Sequence, residues 1–317
     1  MKVRFGYVAN ALSLWDASPS KALTFTRYSE LPKQERLEKL KSVTAQNLYH
    51  TKRILHYNIA HEIKLYRFSS SLVPLATHPE VNWDFISPFQ SEWKELGQLI
   101  KQYEMRPSFH PNQFTLFTSP KDDVTKNAVK DMEFHYKMLK AMDVHQSAII
   151  NIHIGGAYGD KKNTLKRFHH NLQTLPTDIK GQMTLENDDK TYNVAETLAT
   201  CEKENIPMIL DYHHHMANQT ENNLSVYLPK IFHTWHTTNK TPKIHLSSPK
   251  SDQAFRSHAD FVSLKFVLPF FELARELNQD FDVMIEAKQK NVAMQQLVEE
   301  LASIRGIKRI ASSTIMW

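Results

Sequence analysis

The stretch MILDYHHH, residues 208–215, places a short apolar run directly before Asp211 and His214. An apolar run that ends in an imidazole or a carboxylate also occurs at PSFH (107–110), IINIHI (149–154), MTLEN (183–187), KIHLSS (243–248) and VMIEAK (283–288). Short, mostly continuous apolar runs are typical of parallel strands that are buried on both faces. When parallel strands close into a ring, the side chains at their carboxyl ends meet on one face. The repeated pattern therefore predicts a fold and, at one end of it, a metal site.

These strand candidates alternate with segments whose apolar residues recur at helical spacing. Eight strands are predicted, at residues 3–8, 64–69, 106–110, 148–154, 183–186, 207–212, 242–246 and 281–287. Helices are predicted at residues 42–60, 89–103, 124–142, 191–204, 224–235, 262–277 and 292–304. Thr191 is expected to cap the fourth of these helices. The alternation predicts a single (β/α)8 TIM barrel over residues 1–317, with the metal site at the C-terminal ends of its strands.

The composition is that of a soluble globular protein, with 41% apolar and 23% charged residues. No run of about 18 apolar residues is present, so we expect no membrane span, and the N-terminal segment lacks the apolar core of a secretory signal. A single cysteine, Cys201, excludes an intrachain disulfide and fits a cytoplasmic location. The net charge of +5 permits a polyanionic partner without requiring one. Nothing in the sequence demands more than a monomer.

The candidate ligands at the strand ends are imidazoles and carboxylates, without a thiolate. This donor set selects zinc, manganese or iron over a structural cysteine-type zinc site. Nine candidates exceed the needs of one ion, so two or three ions that share bridging carboxylates are expected. Ions about 3.5–4 Å apart suit phosphate-ester hydrolysis, because they activate water and stabilise the attacking and leaving oxygens. The candidates are His110, His153, Glu186, Asp211, His214, His245 and Glu286 at strand ends, and His78 and His258 in neighbouring loops.

Three consecutive histidines follow the sixth predicted strand, and three adjacent side chains cannot all face one ion. The Asp-x-x-His spacing favours Asp211 and His214 as the ligand pair. His213 and His215 then either support the site from behind or are exposed.

Other catalytic motifs are absent from the sequence. There is no Gly-x-x-x-x-Gly-Lys-Ser/Thr loop, so we expect no nucleotide cofactor. There is no Gly-x-Ser-x-Gly elbow, and a single cysteine excludes the Pro-Cys-x-x-Cys deaminase site.

The segment FHPNQFTLF, residues 109–117, follows the third predicted strand and would overhang the metal site. An amide beside an aromatic ring, as in Gln113 and Phe114, is suited to wedging into a stack of bases. The alternative is that Phe114 packs against its neighbours Leu116 and Phe117.

These segments resemble the UV-damage endonuclease family, a relative of the endonuclease IV barrels. The resemblance covers nearly the whole chain. It is carried by LYRFSSSLVPLATHPE (65–80), FHPNQF (109–114), NIHIGG (151–156), LENDD (185–189), DYHH (211–214), KIHLSSPK (243–250), SHADF (257–261) and IEAKQK (285–290).

The resemblance implies a metal-dependent DNA-repair endonuclease that begins excision repair by nicking the backbone immediately 5′ of a UV photoproduct. Cyclobutane dimers and 6-4 photoproducts are the family's substrates, and abasic sites often are. Members hold up to three ions, usually manganese, with zinc or magnesium as alternatives here. The same nine side chains are the implied ligands.

The resemblance also assigns roles to five further residues. Lys243, two residues before His245, matches a lysine that is carboxylated in the family. Tyr7 and Asn10 match an active-site tyrosine and asparagine, although the spacing between them is shorter here. Gln113 and Phe114 match the two residues that probe the damaged dinucleotide. Where some members have tyrosine, Phe114 keeps the stacking face but lacks the hydroxyl.

In the mechanism that we expect, double-stranded DNA lies across the barrel mouth, held through its phosphates by basic loop residues. Photoproducts weaken pairing and stacking, so the damaged pair is extruded at lower cost than normal bases. Hydrolysis leaves a 3′-hydroxyl and a 5′-phosphate. Glu186 and carboxylated Lys243 are both candidates for orienting the attacking water.

Two other functions fit parts of the pattern. A sugar isomerase or epimerase also gathers acids and histidines around a divalent metal in such a barrel, but it needs fewer histidines and no aromatic wedge. A non-catalytic damaged-DNA-binding protein would keep the fold without needing intact ligands. Turnover of ketoses with manganese, and metal-dependent nicking of irradiated DNA, distinguish the three.

Overall fold

The computed structural model describes residues 1–220 and 223–317. Its strands, β1 to β10 in chain order, span Lys2–Val8, Leu65–Arg67, Arg106–Phe109, Ile149–His153, Met183–Glu186, Met208–Asp211, Lys243–Leu246, Phe281–Ile285, Lys308–Ala311 and Thr314–Met316. The first eight strands are parallel and follow one another in order around a ring, which closes where β1 pairs with both β8 and β2. The predicted (β/α)8 TIM barrel is therefore confirmed.

Helices cover the outside of this ring. In chain order, α1 to α11 span Phe25–Glu30, Lys33–Ala60, Gln90–Gln102, Asp122–Ala141, Lys161–Leu172, Thr177–Lys180, Val194–Glu204, Tyr212–Ala217, Leu224–His233, Leu264–Leu277 and Lys290–Ala302. Within the described ranges, no helix combines the length and the hydropathy that a bilayer span requires.

Side chains alternate along β1 between the helices and the barrel interior, as the pleat of a strand demands. Phe5 is buried against Phe271 of α10, with ring centroids 6.1 Å apart. Arg4 points the other way and binds Asp282 of β8, with Nε 2.7 Å from Oδ1. The interior at this lower end is thus polar, and the apolar core lies mainly between strands and helices.

The closing seam between β1 and β2 requires glycine at position 6. A Cβ on Gly6 would lie 2.4 Å from the carbonyl oxygen of Leu65, its partner in the register of the two strands. Any larger residue would push the strands apart. This close approach sets the end of β1, and therefore Asn10, beside the end of β2.

Several local features differ from the sequence-based predictions. Helix α2 begins at Lys33 rather than residue 42, because Leu40 packs with Leu23 and Val81 in a small separate cluster. Helix α7 is capped by Asn193 and not by Thr191: the Asn193 side chain accepts from the Glu196 amide, and Glu196 reaches back to the Asn193 amide.

The other differences are elements that the predictions lacked, which include the short helices α1, α6 and α8. Helix α5 (Lys161–Leu172) was missed because its sequence is largely polar. Strands β9 and β10 form an antiparallel extension of the sheet beside β1. Most of β9 is exposed, so it lacks the apolar run by which the barrel strands were found.

Candidate metal centre

The predicted ligands converge on Glu186, the last residue of β5. Three groups of ligand atoms, each lying within 4.8 Å of one another, can be drawn in the described part of the chain, and Glu186 belongs to all of them. A carboxylate common to three groups is placed to bridge ions. The groups are His110–His153–Glu186, Glu186–Asp211–His214 and Glu186–His245–Glu286.

Strand register explains why these residues meet. His153 ends β4 and pairs with Glu186, while Asp211 ends β6 and pairs with His245 of β7. Glu186, Asp211 and His245 are all buried. Parallel strands of matched length bring their last inward-facing residues to one level.

Helix α8 carries another member of these groups, His214. Asp211 caps that helix by accepting from the His214 amide at 2.8 Å. The cap fixes the first turn, so the His214 ring comes back to the mouth. Its Nδ1 lies 3.7 Å from the second oxygen of Asp211 and 3.5 Å from Glu186. The predicted Asp-x-x-His pairing is therefore present in the structure.

Glu186 is oriented from below by a residue of the neighbouring strand. The Asn151 amide of β4 donates to Oε2 of Glu186, and its carbonyl accepts from the Thr184 hydroxyl at 2.9 Å. Burial opposes ionisation of Glu186, but the imidazoles of His245 and His153 outweigh it and hold its pKa well below the ordinary value. The group is a fixed, buried anion.

The surrounding acids make the site strongly attractive to positive charge. Burial acts against charging the imidazoles, but Asp211 and Glu186 raise the pKa of His214 to about 11. Glu186 and Glu286 likewise raise the pKa of His245 to about 9. Nδ1 of His245 lies 2.9 Å from Glu186 and 3.0 Å from Glu286. The site thus favours positive charge, which a divalent metal ion would supply.

Unpartnered buried atoms indicate the same need. Oε1 of Glu186, Oδ2 of Asp211 and Nδ1 of His153 are buried without a hydrogen-bond partner, which is costly unless a ligand takes the place. Nδ1 of His110 lies 2.9 Å from the Pro111 carbonyl oxygen. Since a carbonyl can only accept, Nδ1 carries the proton and donates. Its Nε2 lone pair then faces the site, 3.4 Å from Glu186. The residues fit a cluster of divalent ions.

Two predicted ligands lie outside the three groups. The His258 ring is 6.2 Å from that of His214, and its Nδ1 donates to the Glu286 carbonyl at 2.6 Å. His78 stacks on Phe25, with ring centroids 4.0 Å apart. The role of His78 and His258 as ligands stays a prediction.

Three residues were predicted for the active site in roles other than metal ligand, and they occupy different positions. Lys243 is fully buried in the barrel, with Nζ 3.3 Å from the Ser108 hydroxyl, and burial together with Arg106 holds its pKa well below the ordinary value. Asn10 has a buried, unpartnered Oδ1. Tyr7 is buried, and its hydroxyl donates to Asn58 of α2 at 2.5 Å. The structure therefore places the Tyr7 side chain towards a helix rather than among the ligands.

Gln113 and Phe114 are exposed in the segment after β3. The Phe114 side chain is 71% exposed, so the alternative that it packs against Leu116 and Phe117 is wrong. Its amide donates to Asn112 at 2.8 Å, which gives the turn a defined shape.

His213 and His215 are both buried. Nε2 of His213 donates to the Phe255 carbonyl at 2.5 Å, and its Nδ1 faces the Ser247 hydroxyl at 2.7 Å. Burial lowers the His213 pKa to about 4, so the ring is neutral. It ties the segment that carries His258 to helix α8, which supports the site from behind.

Several residues of the site were missed from the sequence. Arg67 ends β2 and binds Glu286, and the Asn187 amide joins β5 to β6 through both backbone groups of Asp211. Asn151 lies two residues before His153, so the period of the strand could have identified it as inward-facing.

Replacing Asn151 by Ala should free the Glu186 carboxylate to rotate. Loss of an outer hydrogen bond to a ligand typically lowers metal affinity by about 10- to 100-fold, and we expect this loss for Mn²⁺ in isothermal titration calorimetry. Gln296→Ala, which removes an exposed amide of α11, is the control. Unchanged Mn²⁺ affinity in a folded Asn151→Ala protein would contradict the orienting role.

The chain is similar to known proteins over nearly its whole length. The family model described as UV-endonuclease UvdE matches residues 3–317. The UV DNA damage endonucleases of Bacillus cereus strain 03BB102 and Bacillus anthracis are each 59% identical over 317 residues, with 100% of both chains covered. The crystal structure of SacUVDE superimposes with a TM-score of 0.83 at 28% identity, over 94% of this chain and 98% of that one.

More distant structures share the architecture alone. D-psicose 3-epimerase from Clostridium cellulolyticum H10 has a TM-score of 0.51 at 13% identity, over 74% of this chain and 78% of that one. This likeness concerns the barrel, whereas the UvdE match extends along the whole chain and includes every segment that carries a ligand. The chain belongs to the UvdE family of UV endonucleases.

Proposed function

We propose that this protein is a divalent-metal-dependent endonuclease that nicks DNA immediately 5′ of UV photoproducts, and also at abasic sites, leaving a 3′-hydroxyl and a 5′-phosphate. The observation that carries the proposal is the convergence of six histidine and acidic side chains on Glu186 in a chain of the UvdE family. His78 and His258 complete the proposed set for two or three ions. Manganese suits the mixed imidazole and carboxylate donors.

When bound, such ions activate a water for attack on phosphorus and neutralise the charge that develops on the leaving oxygen. The chain supplies the positions. Asn151 holds Glu186, and Arg67 holds Glu286, so the two acids face the same space. Asn10, with its unpartnered oxygen at the end of β1, would hold the substrate or an ordered water.

Cations near Glu286 would contact the DNA backbone. Burial and the neighbouring charge of Arg67 lower the pKa of Lys290, while Glu286 acts in the opposite direction. Arg67 and Lys290 are then placed to pair with a phosphate that enters the mouth. In this proposal basic residues of the loops bind the phosphates of the rest of the duplex.

Damage would be recognised through the exposed segment after β3. Photoproducts weaken pairing and stacking, so extrusion of the damaged pair costs less than extrusion of normal bases. Gln113 and Phe114 would fill the gap in the stack. Their exposure and the defined turn around Asn112 support this role.

Strand scission of an irradiated oligonucleotide tests the activity. We expect Mn²⁺-dependent cleavage mapped to the phosphodiester directly 5′ of the photoproduct, no cleavage with chelator, and none of the undamaged duplex. Glu186→Gln should lower the rate by well over about 100-fold, beyond the loss typical of an outer-sphere change, with the fold intact by circular dichroism. Cleavage by metal-free protein, or ketose turnover without nicking, would contradict the proposal.

We further propose that Lys243 is carboxylated. Its amine would form a C–N bond to CO₂ and release one proton, giving a carbamate two residues from His245. Full burial of Lys243 and its match to the family's modified lysine support this. With ¹³C-bicarbonate, a carbamate resonance should appear in NMR spectra of the wild-type protein and be missing in Lys243→Arg. Identical spectra for the two proteins would argue against the modification.

Replacing Phe114 by Ala should impair recognition more than metal binding. Stacking contributes about 1–3 kcal/mol per base, so affinity for irradiated duplex should fall about 5- to 150-fold. Affinity for intact duplex and Mn²⁺ content should change little. Fluorescence anisotropy in chelator measures both affinities, and an equal loss on the two DNAs would count against the wedge.

A further inference from the structure

A cavity of about 570 Å³ lies at the end of the barrel where the strands begin. It is enclosed by the segments that lead into β3, β4 and β7. One side of its wall is apolar, from Ile100 and Met105, and much of the rest is polar or charged. The candidate metal ligands stand at the other ends of the same strands, so this cavity is separate from the mouth.

The cavity is lined in part by a buried guanidinium that uses only part of its hydrogen-bonding capacity. Arg106 is 8% exposed. Its Nη1 donates to the Thr241 carbonyl and to Asp282, whereas Nε and Nη2 are buried without a hydrogen-bond partner. The Trp235 ring lies 5.3 Å from the guanidinium carbon and covers one face. Since incomplete pairing of a buried charge is costly, this group favours an anion nearby.

Positive charge exceeds negative charge around this group. Asp282 is completely buried and is shared by Arg106 and Arg4, so one carboxylate serves two guanidiniums. Lys240 adds a further cation, and its Nζ lies 3.4 Å from the neutral side-chain amide of Gln182. Burial and the charge of Arg106 lower the pKa of Lys240, as expected where like charges are incompletely balanced.

The other charged residues of the lining do not remove this imbalance. Lys101 pairs with Asp143, so its charge already has a partner. Glu104 is exposed, where water screens its charge. The local charge beside Arg106 and Lys240 is therefore positive.

We propose that this cavity binds a phosphate dianion, either free or as the end group of a phosphomonoester. Two uncompensated positive charges call for a dianion rather than a carboxylate. Lys240 would contact the phosphate directly, while Arg106, whose free nitrogens are closed to solvent, would act mainly through its charge. The Thr241 hydroxyl oxygen accepts from Nη2 of Arg4 at 3.4 Å, which leaves its proton for a phosphate oxygen. The inference does not rest on the proposed nuclease function.

Calorimetric titration of the whole protein tests this site. The protein is stripped of metal and dialysed free of chelator, so that ions in the mouth cannot recruit the anion, and ionic strength is held constant. We expect one saturable site for inorganic phosphate, and occupancy should raise the Tm. A parallel titration uses thymidine monophosphate. Tighter binding of this nucleotide would identify a phosphomonoester as the ligand, and equal or weaker binding would identify free phosphate.

Two variants change the cavity without removing a partner of Asp282. Lys240→Ala should weaken phosphate binding about 10- to 150-fold, the loss of one hydrogen bond to a charged group. Lys240→Arg keeps the charge and should retain most of the affinity. Ser147→Glu adds a negative charge at an exposed position of the lining and should abolish binding. Circular dichroism confirms that each variant is folded.

Two further variants serve as controls. Lys2→Ala removes a lysine at the same end of the barrel, where β1 begins, that pairs with Asp280. It should bind phosphate as wild type does. Glu186→Gln alters the mouth and should also leave phosphate binding unchanged.

The inference is overturned if wild type binds neither anion at millimolar concentrations, or if Lys240→Ala and Ser147→Glu bind as wild type does. Equal weakening by Lys2→Ala and Lys240→Ala would reveal unspecific attraction to a basic surface. Loss of binding in Glu186→Gln with full binding in Lys240→Ala would place the phosphate in the mouth. Either of these last two results contradicts the site as well.

Discussion

The structure at the C-terminal ends of the barrel strands depends on partners that stabilise one buried carboxylate, Glu186. Glu186 is 1% exposed and its pKa is held well below the ordinary value, so it stays charged where water is excluded. A buried charge is tolerated only with partners and hydrogen bonds. Asn151 gives the hydrogen bond, and the imidazoles on neighbouring strands give the partners. The excess of acid over fixed positive charge makes the centre a receptor for cations, so ion binding and the stability of this end of the barrel are linked.

The same strand geometry carries polar groups down the barrel. Inward positions lie two residues apart, so Ser108 and Arg106 lie below His110, and Lys243 lies below His245. Arg106 and Arg4 share Asp282 at the lower end. The interior is therefore a column of charges and hydrogen bonds, whereas the apolar burial that stabilises the fold is mainly in the layer between strands and helices. The candidate metal centre lies at the top of this column.

What could be predicted from the sequence follows from this geometry. Parallel strands have a period of two and a common end, so an apolar run that finishes in Glu186 or His245 fixes both an element and the place of its last side chain. Those residues meet as predicted. The two-residue period of a strand does not predict the position of side chains that lie in loops. His78 was predicted as a ligand from a loop, and its stacking on Phe25 depends on how α1 and the segment after β2 fold together.

Other features depend on contacts that a local pattern does not contain. Tyr7 lies two residues after Phe5 and so shares its helix-facing side, which the strand period could have shown; its hydrogen-bond partner Asn58 of α2, in contrast, lies far along the chain. The start of α2 depends on packing by Leu40 with two distant residues. The strand pattern could have placed Asn151 inside the barrel, but a neutral amide does not indicate metal binding. Its role is evident only from its hydrogen bond to Glu186.

The close packing of Gly155 on Thr118 has a consequence for how such an enzyme can diverge. The candidate ligands stand on strand ends and Phe114 on a segment above them, so the exposed segment can change in sequence while the candidate ligand set is kept. The segments after β3 and β4, however, are in close contact. A Cβ on Gly155 would lie 2.7 Å from the Thr118 hydroxyl, and Nε of Arg167 in α5 donates to the Thr118 carbonyl at 3.1 Å. A side chain at position 155 would meet Thr118 and Leu116, so we expect changes in one of the two segments to require matching changes in the other.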